Sequence, residues 1–180
     1  MIIIEKYRLI ADANDSNKYY VKSEEESICP ICSNIELKVI GSRNRVVLNN
    51  SAEKLVLVIR RFRCSRCGHV HHELPDMLVP YKRYSSASIE TIIDNTRDEV
   101  ACECSSIYRI KKWFQSISEY IAGCLSSIAA QMGIQTEIKL GSALQRIKGY
   151  AGKDTGWLAR TVRTLANTNN WVHTRSAFMS

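Results

Sequence analysis

The apolar positions along this chain change period near residue 80. Before that point they come in short clusters suited to strands. Residues 1–4 open with three consecutive isoleucines and are broken at once by Glu5 and Lys6, which reads as an edge strand and is too short for a signal-peptide core. Residues 36–40 and 45–48 predict two short strands, Asn49-Asn50-Ser51 a turn, and residues 55–59 a continuous β-branched run. After Pro80 the spacing becomes helical. Ser85 to Ser88 offer caps for a helix carrying Ile89, Ile92 and Ile93, and a second short helix is expected around Val100-Ala101. Ser105 or Ser106 is then expected to cap the longest helix. Its stripe is Ile107, Ile110, Trp113, Phe114, Ile117, Ile121, Leu125, Ile128 and Met132. Residues 140–150 and 155–165 predict two more helices, the second burying Trp157, Leu158, Val162 and Leu165 with Arg160 and Arg163 turned outward.

Seven cysteines change the picture of the strand-rich half. Four form two pairs, Cys29-Pro30-Ile31-Cys32 and Cys64-Ser65-Arg66-Cys67, separated by thirty-one residues. Each C-x2-C can sit on a tight turn that aims both sulfurs at one ion, and two such turns supply the four-thiolate tetrahedron that zinc prefers. Gly68 follows where a metal knuckle needs a residue that tolerates positive φ. Strands between two knuckles predict a zinc ribbon with a long hairpin, and a structural Zn2+ as the cofactor. A thioredoxin-like redox reading needs a βαβ pattern that is absent. Cys102, Cys104 and Cys124 have no partners at ligand spacing and read as ordinary thiols.

Charge then points to a partner. The formal charge is +7, unevenly placed. Residues 1–28 carry four basic and six acidic side chains, whereas residues 38–83 carry ten basic and three acidic. The stretch from Lys139 onward holds seven basic and one acidic. Basic blocks flanking a metal module suit a polyanion. The residues expected to meet DNA are Arg60, Arg61, Arg63, Arg66, Lys82 and Arg83 from the ribbon side, with Arg109, Lys111, Lys112 and Gln115 on the outer face of the long helix. A short helix, a turn and a helix with outward Arg, Lys and Gln is how a helix-turn-helix presents its reading helix. The plain alternative is a helical hairpin with a solvated face. No apolar run approaches the roughly 20 residues of a spanning helix, so a membrane protein is not expected and the cytoplasm is the expected location.

The histidines carry a third reading. Gly68-His69-Val70-His71-His72-Glu73-Leu74-Pro75 resembles the first half of an HNH nuclease motif, in which one His activates water and another binds a divalent metal. Asn95 is the only candidate for the middle residue and His173 the next histidine, so the set is incomplete. Histidines on the strand leaving the ribbon, one of them packed against the knuckle, fit better.

Three runs carry a family resemblance: Cys64-x-x-Cys67-Gly68; His71-His72-Glu73-Leu74-Pro75-Asp76; and Val79-Pro80-Tyr81-Lys82-Arg83-Tyr84. Residues 105–114 and 156–163 and the ending Trp171-Val172-His173-Thr174-Arg175-Ser176-Ala177-Phe178 extend it over residues 25–180. Together they resemble a family of uncharacterised bacterial domains similar to the zinc-finger N-terminal region of insertion-sequence transposases. The resemblance implies a DNA-binding protein of a mobile element or phage, with the four cysteines as zinc ligands. An RNase H-like catalytic domain has no room within these residues.

The expected fold is α+β: an N-terminal strand or arm (1–24), a zinc ribbon (25–84) and a mostly helical domain of helix-turn-helix character (85–180). Whether the first 24 residues join the ribbon sheet is left open. The rival to DNA binding is a protein-interaction module docking on a larger recombinase or polymerase. Oligomeric state does not follow from these patterns.

Overall fold

The computed structural model describes residues 1–94, 100–134 and 141–172. Its backbone is organised around one long strand, β5 (Lys54–Cys64), which is apolar and β-branched at one end and arginine-rich at the other. Along one edge β5 pairs antiparallel with β4 (Leu37–Leu48) from Lys54 to Cys64. Two strands share its other edge. Parallel β3 (Lys18–Ser23) takes Val56 to Val58, and antiparallel β6 (Val70–Pro75) takes Arg61 to Arg63. β2 (Tyr7–Ala11) hairpins onto β3, and β1 (Ile2–Ile4) lies parallel to β6 at the far border. The result is a curled six-stranded sheet in the order β1-β6-β5-β3-β2, with β4 branching from β5.

The N-terminal residues therefore belong to the sheet, since β1, β2 and β3 all lie within residues 2–23. β1 is the expected edge strand, yet it is buried. Asn167 caps its border like a strand mimic: the Asn167 carboxamide accepts from the Ile3 N–H at 2.8 Å and donates to the Ile3 carbonyl at 2.9 Å. That leaves no unpaired amide row at this border.

The two short strands expected at 36–40 and 45–48 are one continuous β4. Its polar middle, Gly41 to Asn44, continues the ladder through a bulge between Val39 and Gly41. The bulge adds twist to the long hairpin. The turn at Asn49-Asn50-Ser51 is present, and the Asn49 side chain accepts from the Ser51 and Glu53 amides.

Four helices follow: α1 (Ser86–Ile93), α2 (Cys104–Gln131), α3 (Ala143–Ala151) and α4 (Trp157–Asn167). Ser85 caps α1 as expected, and Ser142 with Gln145 forms a reciprocal capping box on α3. α2 begins earlier than the serines suggested. Its N-cap is Glu103, whose backbone is extended and whose side chain makes no capping bond. Val100 to Glu103 is not helical, and residues 95–99, where the second short helix was expected to start, lie outside the described residues.

One apolar cluster joins sheet and helices. Val47, Leu57 and Ile59 from β4 and β5 belong to it with Ile89 and Ile92 of α1, Ile110, Phe114, Ile117 and Ile121 of α2, and Trp157, Leu158, Val162 and Leu165 of α4. The stripe expected on α2 forms its buried face, with Ile107 and Trp113 half-buried at its border and Met132 beyond the helix end exposed. A buried carboxylate pins α4. Glu90 of α1 accepts from the Gly156 N–H at 2.7 Å and the Leu158 N–H at 2.9 Å, satisfying amides that the first turn of α4 cannot pair internally. Arg160 and Arg163, expected to face outward, are engaged: Arg160 by the carbonyls of Asp154 and Thr155, Arg163 by Glu5 and Glu25. Among the described residues no helix is long and apolar enough to cross a membrane.

Candidate metal centre

The two C-x2-C turns meet at one end of β5. Cys64 closes β5 and is buried, and the loop to β6 carries Cys67; the segment preceding β4 brings Cys29 and Cys32 against them. All four sulfurs lie within 4.8 Å of one another, with Cys29 3.6 Å from Cys67 and Cys32 3.6 Å from Cys64. Four thiolates about 2.3 Å from a tetrahedral ion sit roughly 3.8 Å apart. The cluster thus fits a metal ion such as zinc.

The two turns are built alike. Gly68 N–H donates to the Cys64 carbonyl at 3.0 Å, and Ser33 N–H donates to the Cys29 carbonyl at 2.9 Å. Each donor follows the second cysteine of its pair and has left-handed φ, 73° at Gly68 and 57° at Ser33. Glycine adopts that conformation freely, whereas an L side chain bears about 1 kcal/mol or more. Ser33→Gly is therefore expected to raise the stability of the metal-loaded protein by up to about 1 kcal/mol, and Gly68→Ala to lower it by about 1 kcal/mol. Thermal melts of the two variants check this; a change of the same sign in both would refute the strain argument.

The thiols are tuned unequally. Backbone N–H groups of Cys67 and Arg66 outweigh burial and draw the Cys64 thiol down to about 6. The His69 N–H pulls Cys67 the same way, but burial and hydrogen bonds to the three neighbouring sulfurs dominate and push it up to about 12. A dication replaces those shared protons, so binding would release them. Asn34 donates to the Cys64 sulfur at 3.6 Å.

His71 packs against this cluster. Its Nε2 is 3.3 Å from the Cys29 sulfur, and burial pulls its imidazole down to about 4. Its neighbour His72 points to the opposite face of β6. The two histidines of the nuclease reading are thus on different sides of one strand, while Asn95 and His173 lie outside the described residues. Cys102, Cys104 and Cys124 are free and lie apart from the metal cluster.

The basic candidates separate into groups. Arg60 stacks over Phe62 and donates through Nε (2.7 Å) and Nη2 (2.8 Å) to Glu73, whose carboxylate is fully buried and also accepts from Ser27. Arg63 and Arg66 fold back toward the metal loops, at 3.4 Å from the Gly68 and Cys32 carbonyls. Lys82 lies over the Trp113 ring at 3.9 Å; burial pulls its ammonium down to about 8, while the indole face beneath favours the charged form. Arg83 and Arg109 are brought together beside Tyr84 in one cleft, and Lys112 lies over Tyr108. Lys111 and Gln115 face a separate groove between α2 and α3.

Arg43 and Arg45 were counted in the basic block but not singled out. They alternate along β4 on the same face as Arg61 of β5 and His72 of β6, as the cross-strand register dictates. With Tyr81 and Pro80 they line a cleft that adjoins the one holding Arg83 and Arg109; Tyr81 belongs to both. Tyr81 itself has φ of 65°, unusual for an aromatic residue.

Both halves of the cysteine cluster fall inside one family match. Residues 29–110 match a domain of unknown function, DUF6431. The matched segment runs from the first of the four clustered cysteines through β4, β5, β6 and α1 into the first turns of α2. It agrees with the resemblance to uncharacterised domains and adds no link to transposases. Neither a curated protein nor a solved structure matches the chain.

Proposed function

We propose that this protein binds DNA through a basic face supported by a zinc-stabilised sheet. What carries the reading is the pair of clefts meeting at Tyr81. One is lined by Arg43, Arg45 and His72, the other by Lys82, Arg83 and Arg109, and no Asp or Glu lines either among the described residues. The face thus runs without a break from the strands next to the metal cluster to the N-terminal end of α2. Arg109 and Lys112 then project from the exposed side of that helix, as a groove-reading helix requires, while Lys111 and Gln115 turn to the separate groove beside α3. The zinc-ribbon and helix-turn-helix description, and a mobile-element or phage setting, belong to this proposal; the latter rests on the family resemblance read from the sequence.

Neutralising about five phosphates gives a log–log salt slope near −4.5. Affinity for a duplex of 20 base pairs should accordingly fall some hundredfold or more between 50 and 200 mM KCl. Fluorescence anisotropy of the zinc-loaded protein reads this directly, with an Arg83→Ala/Arg109→Ala variant expected to flatten the slope. Salt-indifferent binding, or none by folded protein, would defeat the proposal.

A second reading has its own observation. Ile28, Ile31 and Ile35 around the first metal loop, with Val39, Ile40 and Val70 on the strands reaching it, are all exposed. Apolar side chains standing out around a metal site suit a protein partner, the recombinase or polymerase docking considered from the sequence. If the basic face proves inert, loss of partner capture in Ile35→Asp is the corresponding test.

A further inference from the structure

We propose that the cleft between β4, β6 and the loop after β6 is a binding site for a phosphate monoester, an assignment that deepens the nucleic-acid reading without requiring it. The cleft has a volume of about 230 Å³ and is lined by Arg43, Arg45, His72 and Tyr81 over apolar walls that include Ile59, Leu74 and Pro80. Arg61 joins the same face, directly across the ladder from His72 and from Gly41, which presents no side chain. Its Nε is buried and has no hydrogen-bond partner.

Five other arginines of the fold are treated differently. Arg8, Arg60, Arg146, Arg160 and Arg163 each meet a carboxylate. Arg43, Arg45 and Arg61 form no ion pair among the described residues, although Arg43 sits close enough to Arg45 to disfavour its charge. Burial, then Arg43, holds Arg45 below its ordinary value. Burial, then Arg43, Arg61, the N-terminal ammonium of Met1 (which also lines the cleft) and Arg45, likewise pulls His72 down, leaving it a neutral imidazole with one N–H to donate. Arg45 is aimed by a hydrogen bond of 3.0 Å from its Nη2 to the Lys82 carbonyl. A convergence of like charges at a half-buried site is unfavourable until an anion fills it.

The number of charges selects the anion. A carboxylate would cancel one of three guanidinium charges, whereas a phosphate monoester carries close to two at neutral pH and offers three terminal oxygens to planar forks. A phosphodiester has a single charge and continues on both sides, so it can lie along the rim of the cleft but not seat on the floor that Ile59 and Leu74 close. Pro80 and the Tyr81 ring would take the carbon side of the ester. The source is either a free phosphorylated small molecule or the terminal phosphate of a nucleic-acid strand.

The test uses the full, zinc-loaded chain in phosphate-free buffer. Inorganic phosphate is titrated by calorimetry, and anisotropy compares one oligonucleotide with and without a 5′-phosphate. Saturable phosphate binding is expected, weakened at least about tenfold in Arg43→Ala with an unchanged melting temperature and partly restored in Arg43→Lys. A preference for the 5′-phosphorylated strand identifies a strand end as the source; equal affinity with saturable phosphate binding identifies a free phosphate compound. Either supports the site. Absence of saturable phosphate binding by folded protein overturns it, as does binding untouched by both Arg43→Ala and Arg61→Ala. Salt-sensitive DNA binding indifferent to phosphate would remove the cleft assignment alone. Phosphate held in the cleft without any DNA binding would remove the DNA reading alone.

Discussion

Stripping the metal, or replacing Cys64 and Cys67 by serine, is expected to collapse the end of the sheet where β4, β5 and β6 converge. The reason lies in what holds that end. Residues 24–36 form no strand, and the Cys29 and Cys64 side chains are buried among sulfurs and His71 rather than in the apolar cluster. Without an ion, four thiols and a buried imidazole are left to satisfy one another. The first cysteine loop is otherwise tied by exposed hydrogen bonds from Asn34 to Ser65, from Ser65 to Glu36 and from Arg66 to the Cys32 carbonyl. Structural zinc in such sites contributes on the order of 10 kcal/mol near neutral pH. Part of that is offset by relaxation of the freed loops, so a fall in melting temperature of at least about 10 °C is expected for a chain of this size. One zinc per chain by elemental analysis and an EDTA-dependent melt check it; a melt indifferent to chelation would show that the cluster is not a metal site. Acid should act in the same direction. His71 takes a proton near 6.5 when unfolded but only near 4 when folded. The unfolded state therefore binds more protons in that window, and stability held above pH 6.5 drains away as pH falls toward 4.

The second large effect concerns Arg60. Removing its guanidinium leaves the buried Glu73 carboxylate with Ser27 as its remaining partner. An uncompensated buried charge costs about 3–5 kcal/mol, and the lower figure applies because the Arg60 side chain is 39% exposed. Arg60→Ala should then melt roughly 6–12 °C lower, whereas Arg60→Met/Glu73→Met, which removes both charges, should recover most of that loss. If Arg60 were only a phosphate contact, Arg60→Ala would leave the melt unchanged and weaken DNA binding instead. Comparing melt and binding isotherm separates the two roles.

These examples show which information is local in a sequence and which is not. Ligand spacing is local: the C-x2-C pairs and the glycine after the second encode turns, so the candidate metal site is legible before any fold is known. The helical stripe of α2 is legible for the same reason, since periodicity needs only neighbours in sequence. Strand pairing is not local. Nothing near Tyr19 announces that it will sit beside Leu57, so the incorporation of β2 and β3 into the sheet required the structure. β4 was hidden because Gly41 to Asn44 has turn-like composition; the ladder overrides it through pairing with β5. The same misreading concealed the alternation of Arg43 and Arg45. Arg60 and Arg163 looked like free charge because the acids that hold them lie 13 and more than 100 residues away.

The carboxylate of Glu90 separates heredity from folding. It lies inside the segment 29–110 that matches the domain of unknown function, yet the amides it holds belong to Gly156 and Leu158, outside that segment. β1, which borders β6, and α4, which seals β1 through Asn167, are outside it as well. A fragment cut at the family limits would expose Glu90, open two edges of the sheet and uncover Leu57 and Ile89. A matched segment of this length therefore folds here only with help from residues on both sides of it.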